Sequence, residues 1–127
     1  MLAEAQKYLG YSYVWGGKTP PYFDCSGYLG WCYKYAGIMP QSVVSYTGTI
    51  WDWCREVGTL VDESVAQPGA IVVWGYDGTA WKSNAHVAIY IGNLMILDAA
   101  SKGIDYRPLN YHDTVAERLG LWEVPST

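Results

Sequence analysis

The chain has 127 residues, half of them apolar, and a formal net charge of −4 with acidic and basic side chains interspersed. That suits one domain spanning 1–127 with a real hydrophobic core, and with no basic stripe it argues against nucleic acid or anionic membrane as partner. No apolar run approaches the ~20 residues of a membrane span, and Met1-Leu2-Ala3-Glu4 lacks the basic and apolar regions of a secretory signal.

In chain order, residues 2–9 read as a short helix with Leu2, Ala5 and Leu9 on one face, ended by Gly10. Tyr11 to Lys18 is aromatic and turns at Gly16-Gly17, and Thr19-Pro20-Pro21 is a stiff loop. Asp24 is placed to cap a helix running to about Ala36, with Gly37 just past its end and Pro40 closing the exit. A polar linker, Gln41 to Ser45, leads to a third helix from about Thr49 to Glu56, and Gln67-Pro68-Gly69 is a turn. Strands are predicted at Ala70–Trp74, His86–Ile91, Leu94–Ala99, Ile104–Arg107 and Leu119–Val124. Helices first and strands after, with no helices interleaved, give an α+β fold with an antiparallel sheet.

Cys25, in Phe23-Asp24-Cys25-Ser26-Gly27, falls just inside the predicted second helix. Free N–H groups and the helix dipole there favour a thiolate, the nucleophilic form. The alternative is a small buried apolar residue, the usual fate of a free cysteine. Cys32 and Cys54 lie mid-helix and read as core. Three cysteines without metal-site spacing give no disulfide framework; at most one bridge could form, between Cys32 and Cys54.

A thiol nucleophile needs a base, and there are only two histidines. His86 opens an apolar strand and is the candidate. His112, in a loop-like stretch, reads as a solvated surface residue. Asp98 is the polar residue in the run from Met95 to Ala100, where a carboxylate is costly unless paired. Pairing with His86 would fix the ring's tautomer and stabilise its cation; the alternative is an exposed strand-end carboxylate. A plain two-residue turn at Gly92-Asn93 would set His86 opposite Ala99 and send Asp98 to the other face. For the two to face each other the hairpin must be centred on Gly92, so an odd-length loop or a bulge is predicted.

Tyr13-Val14-Trp15-Gly16-Gly17, Asp24-Cys25-Ser26-Gly27, Pro68-Gly69 and His86-Val87-Ala88-Ile89-Tyr90-Ile91-Gly92-Asn93 together resemble the NlpC-type cell-wall cysteine peptidases, a papain-like group. The ordered set spans about residues 3–108. The resemblance implies a papain-like fold with N-terminal helices on a five- or six-stranded antiparallel sheet. It implies Cys25 as nucleophile, His86 as base and a third polar residue at Asp98, where the family usually carries His. By the same resemblance Tyr13 stands beside the nucleophile as an oxyanion donor, and Asp24 and Ser26 are substrate contacts, although Asp24 reads equally as a helix cap. Gln41–Gly48 departs from the Arg-Ser loop common in the family. Trp15, Trp51, Trp74 and Trp81 are candidates to wall a groove.

The implied activity is hydrolysis of a peptidoglycan stem-peptide amide, at the D-isoglutamyl or isoglutaminyl to diamino-acid bond, by a monomer without cofactor or metal. It would act at the bacterial cell wall, secreted or released as a phage lysin domain. The alternatives are a muramoyl–L-alanine amidase, an inactive wall-binding module, and a metal site built from Cys25, His86 and Asp98.

Overall fold

The computed structural model describes residues 1–76 and 78–125. Its elements are α1 (Leu2–Gln6), β1 (Lys18–Thr19), β2 (Tyr22–Phe23), α2 (Cys25–Tyr35), α3 (Thr47–Val57), β3 (Thr59–Val61), β4 (Ile71–Tyr76), β5 (Trp81–Gly92), β6 (Met95–Ala100), β7 (Gly103–Pro108) and β8 (Arg118–Glu123). The fold is α+β. The described strands form a six-stranded antiparallel sheet in the order β3-β8-β4-β5-β6-β7 and a separate two-stranded ribbon of β1 and β2.

Helix α2 begins where Asp24 caps it, the carboxylate Oδ1 accepting from the Gly27 N–H at 2.7 Å. It ends in a Schellman motif. Gly37 adopts φ +74°, its N–H bonds to Lys34 O, and the Ile38 N–H bonds to Tyr33 O. Helix α1 stops at Gln6, earlier than its apolar spacing suggested, because the Tyr8 and Leu9 N–H groups bond three residues back into a tighter turn. The short strands β1, β2 and β3 carry too few residues to show a period, and the sequence reading missed them.

The sheet buries side chains on both faces. Ile71, Val73, Val87, Ile89, Leu97 and Ala99 pack with Tyr28, Leu29, Cys32 and Tyr33 of α2. Val72, Trp74, Ala88, Tyr90 and Ile96 face the other way, closed over by Leu109 and Ala116. Each large aliphatic group so buried contributes about 1.5–3 kcal/mol. Cys32 and Cys54 are free thiols in the helix-side core, and burial pushes both up to about 12.

The β5–β6 hairpin decides which face Asp98 takes. Its turn is a two-residue one at Asn93-Leu94, both with positive φ (53° and 58°). Gly92 pairs with Met95, but the next pairs are Tyr90 with Ile96 and Ile89 with Leu97, with a register shift between. The bulge is therefore present, and it puts Asp98 and His86 on one face. The hairpin is not centred on Gly92, however. Continuing the observed register sets Asp98 opposite Ala88, so the two site residues meet diagonally.

Candidate active site

The first turn of α2 is held down by close backbone contact. A Cβ on Gly27 would lie 2.0 Å from Gly17 O, and one on Gly17 would lie 2.4 Å from Tyr22 O. The Asp24 N–H also donates to Gly17 O at 2.8 Å. Glycine at both positions lets the Gly16-Gly17 turn lie directly against the helix end. Cys25 is thus the first residue of a fixed helix terminus.

The His86 ring and the Val87 N–H both act on the Cys25 sulfur. The other side of the ring is held by Asp98: His86 Nε2 lies 2.6 Å from Asp98 Oδ2. That leaves Nδ1 for the thiol. Asp98 is almost fully buried and its charge is fully answered. Arg107 donates to Oδ1 at 2.6 Å, and His112 Nε2 lies 2.7 Å from Oδ2. The centres of the two imidazole rings lie 4.1 Å apart with their planes tilted by 46°, and both rings are near Trp74.

The electrostatics follow from this arrangement. Burial pushes the Cys25 thiol up, but its hydrogen bond and charge interaction with His86, with help from the Val87 N–H, bring it below the usual thiol range. Burial pulls His86 down, and the opposing bonds to Asp98 and Cys25 raise it to about 9. Burial would raise Asp98, yet its bonds from His112 and His86 hold it well below the usual carboxylate range. These shifts run toward a thiolate–imidazolium pair backed by a carboxylate.

Above this group lies an open cleft of about 500 Å³. Tyr13, Trp15, Lys18, Asp24, Cys25, Ser26, Tyr46 and His86 are among its lining residues. Trp15 is 85% exposed there. Tyr13 is pushed up to about 12 by burial first, then by the Cys25 and Asp24 charges, so its hydroxyl keeps its proton.

Of the expected site residues, Cys25, His86, Tyr13, Asp24, Ser26 and Trp15 share this cleft, and Asp98 backs it from below. The expectation fails at Trp74. Trp74 is wholly buried on the face away from the helices, its N–H donating to Asp113 at 2.8 Å. It supports His86 and His112 and cannot wall a groove. Trp51 and Trp81 pack on each other and on Tyr76. They form an aromatic cluster beside the cleft, next to its lining residues Thr47 and Lys82.

His112 corrects the sequence reading most. It is buried against Asp98, not solvated. No periodicity marks a loop residue, so nothing local could have placed it. Arg107 did leave a signal. A buried carboxylate demands a cation, and a tight β6–β7 hairpin puts Arg107 on the face of Asp98, as its pairing with Ile96 shows.

A metal fits poorly. Asp98 holds His86 Nε2, which leaves Nδ1 for the Cys25 side, so one ion would not be shared by these three. His86, Asp98 and His112 offer ligand atoms within 4.8 Å of one another. Those atoms are already bonded together, and Arg107 supplies the compensating charge.

The model of the NlpC/P60 family matches residues 10–120. The chain belongs to this family. Among curated proteins it is 40% identical over 108 residues to "Probable endopeptidase p60" of Listeria seeligeri, covering 84% of this chain and 18% of that protein. It is 34% identical over 113 residues to the "Bifunctional muramidase/DL-endopeptidase CwlT" of Bacillus subtilis, covering 86% and 31% respectively. The chain therefore spans less than a third of either relative. The solved structure of an NLP/P60-family protein similar to a lipoprotein, from Staphylococcus aureus, superposes with a TM-score of 0.76 at 29% identity, covering 99% of this chain and 40% of that one. The architecture is the papain-like one of that family. No helix among the described residues is long and apolar enough to cross a membrane.

Proposed function

We propose that this chain is a cysteine endopeptidase domain that hydrolyses an amide of the peptidoglycan stem peptide at the bacterial cell wall. The observation that carries the reading is a thiol at a helix N-terminus against an imidazole whose far nitrogen is fixed by a buried carboxylate. The Cys25 thiolate attacks the amide carbonyl. The developing oxyanion is met by the Cys25 N–H and the Tyr13 hydroxyl. The protonated His86 gives its Nδ1 proton to the leaving amine, breaking the C–N bond and leaving an acyl-thioester. The now neutral His86 takes a proton from water, whose oxygen attacks the thioester and releases the acid and the thiolate. Asp98 stabilises the imidazolium throughout, and Arg107 and His112 hold Asp98.

The DL-endopeptidase relative of Bacillus subtilis supports a bond between D-isoglutamate, or its amide, and the diamino residue. Mass spectrometry of products from purified wall and defined muropeptides tests the bond. The expected fragments end in D-isoglutamate or D-isoglutamine. Release of intact stem peptide would make the chain a muramoyl–alanine amidase instead. Cys25→Ala is expected to keep wall binding and lose lysis; undiminished lysis by that variant would refute the mechanism.

A further inference from the structure

Asp24 faces the cleft beside the nucleophile, and it is the only acid among the described lining residues. In a chain of net charge −4, a lone cleft carboxylate is the natural receptor for a substrate ammonium. It is already occupied. Lys18 Nζ donates to Asp24 Oδ2 at 2.7 Å and to Ser26 Oγ at 3.1 Å. The same ammonium stands 4.7 Å from the centre of the Tyr46 ring, a cation–π contact. The other carboxylate oxygen takes the Gly27 N–H at 2.7 Å and the Ser26 hydroxyl at 3.2 Å.

This ion pair is not a chance surface contact, which would count for little. The Asp24 side chain is only 12% exposed, and it is fixed by its role as helix cap. Lys18 follows directly on the Gly16-Gly17 turn, which is pressed against α2; its Cα would lie 2.9 Å from a Cβ on Gly27. The backbone therefore delivers this lysine to this carboxylate. Among the described lining residues an entering ammonium finds no unpaired anion, and it meets a like charge. An acylated nitrogen suffers neither penalty, and its N–H and carbonyl can still bond within the cleft.

We propose that Lys18 determines specificity by filling the acidic subsite with an internal ammonium. The enzyme then takes stem peptides whose α-amino end is acylated, as it is while joined to the wall, over released peptides with a free α-ammonium. This rests on the endopeptidase reading above.

The test uses two peptides, L-alanyl-γ-D-glutamyl-diamino acid with its α-amine free and the same peptide N-acetylated. Their kcat/KM is measured with the wild-type chain, and their Kd with Cys25→Ala. The acetylated peptide is expected to be preferred about tenfold or more in both. Lys18→Met and Lys18→Gln free the Asp24 carboxylate and are expected to reverse the preference, while Lys18→Arg keeps it. Thermal melts of each variant establish that the folded protein is being read. Equal use of the two peptides by the wild type, or a preference unmoved by Lys18→Met and Lys18→Gln, would overturn the inference while leaving the endopeptidase standing. Turnover of neither peptide would sink the endopeptidase reading and this inference with it.

Discussion

Asp98→Asn removes one negative charge and almost no volume. In the wild type His86 is raised from 6.5 to about 9 against the opposing pull of burial, with Asp98 the leading cause of the rise. That difference corresponds to about 3 kcal/mol in favour of imidazolium. An amide at position 98 cannot satisfy its neighbours. Arg107 approaches one oxygen and both histidine Nε2 atoms approach the other. If the Asn oxygen turns to Arg107, its NH₂ faces His86 Nε2 and drives the ring proton to Nδ1, where the thiol needs an acceptor. A wrong tautomer of this kind lowers rates by about 10⁴ in a comparable triad. The alkaline limb of activity, expected near pH 9 in the wild type, should move to lower pH, because burial of the ring remains and only Cys25 still opposes it. Cys25 alkylation by iodoacetamide, followed by mass spectrometry from pH 5 to 10, should show the thiolate fraction shrinking at neutral pH. Stability should change as well. A folded-state value above the unfolded one gives stabilisation that is complete below 6.5 and lost as pH climbs through about 9. Urea denaturation of the variant should show a weaker alkaline decline, and its midpoint at pH 7 should drop, since a buried Arg107 keeps a hydrogen bond but loses its opposite charge, a change worth up to about 3–5 kcal/mol. An alkaline limb still near pH 9 in folded Asp98→Asn would refute the role given to Asp98.

Tyr13→Phe should lower kcat by about 100-fold, the effect of one lost oxyanion donor worth about 3 kcal/mol, with KM little changed; a kcat within a factor of two of wild type would remove Tyr13 from the mechanism. Gly27→Ala would drive a Cβ to 2.0 Å from Gly17 O, a backbone atom that cannot rotate away. Overpacking there should cost about 1–3 kcal/mol in urea denaturation, and unchanged stability would show that the turn is not clamped as described.

Much of the site was legible because its parts are local. A cap residue, a cysteine one position later and a glycine two further on describe a helix terminus wherever the chain folds it. A histidine opening an apolar run marks a strand end. The need for a bulge followed from parity alone, since an odd offset would have put Asp98 on the wrong face. The bulge is there, but its place was not foreseen. The turn closes on Asn93-Leu94, so the partners meet diagonally.

The sequence by itself determined the order of the helices and the five longer strands, the helix-end thiol, the strand-borne imidazole and the presence of a carboxylate that had to be paired. Only the tertiary structure decided who pairs with it. Arg107 and His112 reach Asp98, Lys18 reaches Asp24, and Trp74 turns into the core instead of the cleft. Capping and periodicity act over a few residues and leave their mark in composition. Charge compensation in a buried site acts through space, and any residue that the sheet register and the loops bring within about 3 Å can supply it.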